Sequence, residues 1–293
     1  MKKRFLLLLL ALQLLQACGQ NTPESKQADI SKPHSENSQT YQRLNTTGNN
    51  IKSRFNPPQG YQRTKLNSTS FGTYLRRLPL KPVGSKVAYF NGQIKPNRNV
   101  YAAVVDLPIG KRDLHQCADA VMRLRADYLF SQKEYDSIHF NFTNGFRADY
   151  TNWRKGKRIV VSGNNVSWRQ KTQASDSKKD FWEYLEMVFS YAGTASLSEE
   201  MKSIPIEELR IGDVFIQGGF PGHAVIVVDI AIDQNTNNKV FMLAQSYMPA
   251  QEIQIIKNPN NVDLSPWYDS DILDLLQTPE WTFKKTDLKR FVN

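Results

Sequence analysis

The segment from Gly212 to Ile230, GDVFIQGGFPGHAVIVVDI, constrains this chain more than any other. It opens on Gly-Asp and a short apolar run, Val214 to Ile216. Gly218 to Gly222 is a loop by composition, three glycines around Phe-Pro. His223 to Ile230 then runs apolar with one break, at Asp229. A strand with one wet face alternates apolar and polar residues, whereas an unbroken run buries both faces. The sequence therefore calls for a strand inside the protein that begins on a histidine at a loop edge.

The rest of the chain supplies what packs around that strand. Asp233 to Asn238 is a polar turn, Val240 to Ser246 returns as the next strand, and Gln251 to Ile256 gives another. Upstream, Ser85 to Phe90, the turn pair Asn91-Gly92 and a return over Val100 to Val105 predict a hairpin. Ile138 to Phe142 alternates as a strand. Leu114, Cys117, Val121, Leu124, Tyr128 and Leu129 recur at helical spacing, which predicts a helix over 113–130 with Asp113 as its N-cap. Asp180 to Tyr191 is a second, aromatic-rich helix, capped by Ser177 or Asp176 and stopped at Gly193. Helices first and a strand cluster later indicate an α+β fold with an antiparallel sheet and a packed helix that carries Cys117.

The start of the chain has a different character. Lys2, Lys3 and Arg4 precede an apolar run from Phe5 to Leu15, too short for the about 20 residues that span a bilayer. Leu15-Gln16-Ala17-Cys18 follows. This layout has the form of a signal peptide and resembles the lipobox of bacterial lipoproteins, which implies acylation of Cys18. Residues 1–17 are then the signal and 18–50 a lipidated tether, rich in Gln, Asn, Ser, Thr and Lys and too polar to fold. Residues 51–293 form a single α+β domain. The expected partner is the lipid bilayer, reached through acylated Cys18. The expected location is the cell envelope, on the periplasmic side of the outer membrane, because Gly19 rather than Asp follows the cysteine. The formal net charge is +10, of which Lys2, Lys3 and Arg4 supply three. Such a surface tolerates anionic wall polymers and headgroups. No basic block with interleaved aromatics is present, so nucleic acid is not an expected partner.

With Cys18 lipidated, Cys117 is the remaining thiol of two cysteines. Its bland reading is a small buried hydrophobe. Its functional reading starts from the helix N-terminus, whose partial positive charge lowers a thiol's pKa. Of the four histidines, His34 falls in the tether. His223 opens the central strand, where its ring borders a cleft. His115, Cys117 and His139 do not repeat a zinc-ligand spacing, and neither metal nor cofactor is expected. Trp267 and Tyr268 are expected to pack on the sheet, Arg123 and Arg125 to be solvated or ion-paired, Asp213 to cap a turn and Asp229 to end a strand.

The stretch around GDVF and GHAVIVV resembles the second half of papain-like cell-wall hydrolases, the NlpC-type peptidases and CHAP amidases. There the catalytic cysteine sits upstream at a helix start, as Cys117 does in QCADAVMRLRADYL. The resemblance implies a papain-like, NlpC-type core. It implies that Cys117 attacks an amide carbonyl, that His223 handles the thiol proton, and that a third polar residue orients the imidazole. Within VFMLAQSYM that residue is Gln245, with Ser246 second. Gln116 or backbone N–H groups at the helix start would hold the oxyanion. Peptidoglycan peptides would be the substrate. The alternative is a non-catalytic envelope lipoprotein that uses the same fold to bind or scaffold, since Ala-Asp follows Cys117 and the third residue is Gln. Finally, LPLKP, LHQCADAVMRLRADYL, FSYAGTASL, GGFPGHAVIVVD and LAQSYMPAQ together resemble a family of bacterial lipoproteins known only as a domain of unknown function, over most of residues 55–290.

Overall fold

The computed structural model describes residues 43–271 and 274–292. The basic start, Cys18, His34 and most of the segment read as a tether lie outside these residues. Among the described residues, no helix is long and apolar enough to cross a membrane.

Nine strands form one sheet, and every pairing in it is antiparallel. The hydrogen-bonded order is Tyr101–Val104, Gln254–Ile256, Lys239–Gln245, His223–Asp233, Val214–Gln217, Leu288–Phe291 and Met201–Ser203. Tyr61–Arg63 adds to the far end of the His223 strand, and Trp267–Asp269 to the Lys239 strand. With the helices Cys117–Ser131 and Lys178–Tyr191, the architecture is mixed α and β around a mainly antiparallel sheet.

The apolar run is buried on both faces, for the reason its composition suggests. Successive strand side chains point to opposite faces. Ala224, Ile226 and Val228 enter one core, with Val121, Leu124 and other residues of the Cys117 helix. Val225 and Val227 enter a second core, with Phe215, Leu243 and Phe283. Each fully buried Val or Ile contributes about 1.5–3 kcal/mol, so this one strand ties two cores together. A register shift between Met242 and Leu243 leaves Val228 as the extra residue of a bulge. The bulge exchanges the faces, so Ile230 joins the second core and Ala231 the first.

Asp229 does not end the strand, which continues to Asp233. It sits at the bulge, fully buried, where Arg63 Nε (2.6 Å) and Arg76 Nε both donate to its carboxylate. Asp213 does cap a turn, accepting from Arg210 N at 2.6 Å, and is also paired with Arg290. Trp267 and Tyr268 are buried against the sheet.

Two local expectations change. The Asn91-Gly92 bend forms, with Tyr89 N donating to Gln93 O at 2.8 Å and Gly92 at φ +83°. It joins only Ala88 to Ile94 by an isolated bridge, however, while Tyr101–Val104 pairs with Gln254–Ile256. The turn chemistry sets a bend but not the partner of the buried strand that follows. The first helix begins at Cys117, with Gln116 as N-cap, because Asp119 accepts the Gln116 N–H at 2.9 Å. Asp113 is drawn elsewhere, accepting from Ala250 N at 2.7 Å. The second helix starts as expected, with Ser177 Oγ accepting from Asp180 N at 3.1 Å. It ends at Ala192, and Gly193 becomes the N-cap of a third helix, Thr194–Glu200.

Between Ser131 and Glu200 the chain makes two short hairpins and the Lys178–Tyr191 helix. Phe130, Tyr150, Phe181 and Tyr184 cluster there in stacked, tilted and edge-on pairs, with ring centroids 4.3 to 6.4 Å apart. Residues 43–50 also pack on the domain. Arg54 Nε donates to Gly48 O at 2.6 Å, and Asn50 caps Ile51–Arg54.

Candidate functional site

Cys117 is the first residue of its helix, and His223 is the first residue of the central strand. The helix packs on the face that holds Ala224 and Ile226, so its N-terminus comes to the start of that strand. There the backbone N–H groups of Ala118 and Ala224 face the Cys117 sulfur. The thiol thus meets the strand at the residue next to His223. Among the described residues, no hydrogen bond joins thiol and ring.

The ring of His223 is held on its other side. Nε2 lies 2.9 Å from Oε1 of Gln245, the last residue of the neighbouring strand. Tyr247, Trp281 and Phe283 surround the ring, with centroids 4.8, 5.4 and 5.9 Å away. The Gln245 amide nitrogen in turn donates to Glu280 at 2.6 Å, and Glu280 pairs with the buried Lys95 at 2.7 Å. Ser246, the second choice for the supporting residue, turns away. Its hydroxyl lies 2.9 Å from the His115 carbonyl oxygen and 2.7 Å from that of Gln251, and its single proton is shared between them.

The electrostatics differ from the expectation for a helix-start thiol. Cys117 is 7% exposed. Burial and then the Asp119 carboxylate push its pKa up to about 11, against the facing N–H groups, which work to lower it. Burial pushes His223 down to about 4, with Lys95 acting in the same direction and the Gln245 hydrogen bond opposing. Thiol and imidazole are therefore both neutral at pH 7 in the resting protein. The helix end does not produce a thiolate, because removing the charge from water outweighs a partial dipole charge. Asp119 is itself raised to about 8 by burial.

The thiol opens onto a cleft of about 400 Å³, whose wall includes Gln116, Asp119, Phe189, Thr194, Phe220 and Met248. Phe220 is 99% exposed and Met248 48% exposed at its rim. Gly222 keeps the loop tight under that rim. A Cβ there would lie 2.4 Å from Thr194 Oγ1 and 2.5 Å from Gly219 O. The side-chain amide of Gln116 is engaged by Asp113 at 3.1 Å, which leaves backbone donors at the helix start as the better oxyanion groups. The His223 ring is buried behind this cleft and is not on its wall, so it does not border the cleft as expected. A larger hollow of about 730 Å³, between Arg123, Phe130 and Trp182, has neither Cys117 nor His223 on its wall.

The other residues singled out in the sequence fall elsewhere. His115 is buried against Phe189, with burial pushing it down to about 3. His139 lies 3.7 Å from Glu200. Arg123 pairs with Asp127 at 3.2 Å and covers Trp182, while Arg125 lies over Phe71. Among the described residues, no group of three His, Cys, Asp or Glu side chains is close enough to hold a metal ion. Sequence reasoning missed Glu280, Lys95, Trp281 and Tyr247. Lys95 follows an Asn-Gly bend and Glu280 a proline, and neither pattern signals a buried charge.

A family model described as "Domain of unknown function (4846)" matches residues 51–290. No curated protein and no solved structure matches the chain significantly.

Proposed function

The chain belongs to that family of domains of unknown function, and we propose that its fold serves as a papain-like Cys/His amide hydrolase, held to a membrane through acylated Cys18. The observation that carries this reading is the placement of the Cys117 helix start beside the sheet end that bears His223 and Gln245. The Ala224 N–H faces the Cys117 sulfur, and the adjacent His223 is hydrogen-bonded to Gln245. A nucleophile, a base and a group that orients the base are the parts such chemistry needs.

The steps follow from those parts. Cys117 loses its proton to His223 as the sulfur bonds to an amide carbonyl carbon. The carbonyl π pair moves to oxygen, where backbone N–H groups at the helix start hold it. The C–N bond then breaks, and the leaving amine takes the proton from His223. Water, deprotonated by His223, attacks the thioester, and the C–S bond breaks to restore the thiol. A thiol and imidazole that rest neutral transfer the proton as substrate binds, when the cleft is closed to water and charge is stabilised at the reacting atoms.

The substrate in this reading is an amide in the cell envelope, a peptidoglycan peptide. Its basis is the export-signal layout of residues 1–18 and the apolar-rimmed cleft beside Cys117. Incubation of the protein with muropeptides, read by mass spectrometry, tests it. Cys117→Ala and His223→Ala should each abolish cleavage while the circular dichroism spectrum stays unchanged. Cleavage that survives either substitution, or a wild type that cleaves no muropeptide, ends the proposal. Acylation is tested separately, by the mass of the mature N-terminal peptide and its change in Cys18→Ser.

One observation favours a second reading, a non-catalytic binding module. The Cys117 thiol is buried and pushed up to about 11. If muropeptides bind and are recovered intact, this reading replaces the first.

A further inference from the structure

A row of polar side chains, buried except for the half-buried Glu280, leads away from His223, and its orientation follows from charge. Lys95 Nζ lies 2.7 Å from Glu280 and donates to Gln251 Oε1 at 3.0 Å. Lys95 is 4% exposed, so its ammonium is held by these partners rather than by water. Glu280 in turn accepts from Gln245 Nε2 at 2.6 Å. An amide beside a carboxylate must present its NH2 group to it, since the opposite orientation sets a carbonyl oxygen against an anion. With its nitrogen fixed on Glu280, the Gln245 amide shows its oxygen to His223. That oxygen accepts only, so the proton of the neutral imidazole sits on Nε2. Nδ1 is left as the basic nitrogen. Trp281, adjacent to Glu280, packs on the same ring, and its indole N–H donates to Gln217 at 3.0 Å.

We propose that Glu280, held by Lys95, is a positioning residue that sets the tautomer of His223 through the Gln245 amide, and so decides which ring nitrogen takes the Cys117 proton. The last clause rests on the Cys/His hydrolase reading, whereas the tautomer itself does not. Gln245 is well suited to the middle position because an amide passes on orientation without gaining or losing a proton. Lys95 alone would hold the oxygen of a Glu280→Gln amide toward Gln245, since its ammonium lies 2.7 Å from the same oxygen, so carboxylate and ammonium must be removed together. In the double variant Glu280→Gln/Lys95→Met the introduced amide offers an oxygen or a nitrogen with equal ease, and the Gln245 amide loses its reason to point one way.

The test uses the full chain labelled with ¹⁵N-histidine, which has only four histidines. Two-bond ¹H–¹⁵N correlations distinguish the protonated ring nitrogen from the bare one, and His223→Gln assigns the signals. The wild type is expected to show His223 protonated on Nε2 at pH 7. The double variant Glu280→Gln/Lys95→Met is expected to give a mixture of tautomers, and Glu280→Asp to retain the wild-type form. Unchanged signals from His115 report that the fold is intact, and Glu280→Gln preserves shape if Glu280→Ala does not fold. A wild type protonated on Nδ1 overturns the proposal, and so does a Glu280→Gln/Lys95→Met protein with a single, unchanged tautomer. Neither result needs a substrate. Absence of muropeptide cleavage would therefore sink the hydrolase reading and leave the tautomer result standing. A tautomer that ignores Glu280, in a protein that does cleave, would sink the positioning role alone.

Discussion

Nε2 of His223 and Oε1 of Gln245 lie 2.9 Å apart at adjoining ends of two antiparallel strands, both side chains almost fully buried. The hydrogen bond works to raise the pKa of the imidazole against burial. Gln245→Met keeps the volume and removes the acceptor. It should lower the His223 pKa below the wild type's, which is about 4, in an NMR titration. Because it removes the hydrogen bonds to the buried His223 ring and to Glu280, which keeps Lys95, it should also cost about 1–3 kcal/mol in urea unfolding. A His223 titration unchanged in this variant would mean that the contact does not govern the ring.

Cys117 should react slowly with iodoacetamide near neutral pH, with the rate climbing toward pH 11 as the thiolate forms. Asp119 contributes to that resistance once it ionises, above about pH 8. Asp119→Asn still accepts the Gln116 N–H and so keeps the helix start. It should move the alkylation profile to lower pH. Rapid alkylation of the wild type at pH 7 would contradict the burial of the thiol.

Two buried histidines make acid the weak side of this fold. His223 and His115 are depressed from 6.5 to about 4 and about 3. Below pH 6.5 the unfolded chain takes up protons that the native protein refuses. Their stabilising contribution is present above pH 6.5 and is lost as pH falls toward 4. The loss should reach on the order of 3 kcal/mol per histidine. Unfolding free energies measured between pH 7 and 4 should fall steeply in the wild type. They should fall less steeply in His115→Leu, whatever that variant's absolute stability.

The Asp229 carboxylate lies between Arg63 and Arg76 at the bulge. Asp229→Ala leaves two guanidinium groups facing each other without it, and should destabilise by about 3–5 kcal/mol. A loss under about 1 kcal/mol in urea unfolding would show that water replaces the carboxylate.

The rim of the cleft can be separated from its floor. Phe220 is almost fully exposed, so Phe220→Ser should leave the melting temperature unchanged. Under the hydrolase reading it should raise KM for muropeptides more than it lowers kcat. Gly222→Ala, by contrast, has no room for its Cβ and should both destabilise the loop and impair the site.

Much of this was legible in the sequence because it depends on local pattern. The unbroken run after His223 announced a strand buried on both faces, and helical spacing placed Cys117 near a helix start. The pairing of Tyr101–Val104 was not legible, since the Asn91-Gly92 bend is local while the partner strand lies near residue 255. Position alone does not choose between the buried and the reactive reading of the thiol, for a related reason. A helix dipole can be read from position, whereas desolvation depends on what closes over the site. Glu280 and Lys95 were invisible because a buried charge has no sequence signature until its partner is known.

The groups around the imidazole come from distant parts of the chain, and order of synthesis matters to them. Lys95 and Cys117 are made first, His223 and Gln245 later, and Glu280 and Trp281 after them. A chain emerging from its N-terminus holds its thiol long before it holds the residues that orient the ring. The site is thus withheld until residues 280–283 have been made, and a truncated product ending before residue 280 would carry the cysteine without the arrangement that surrounds His223.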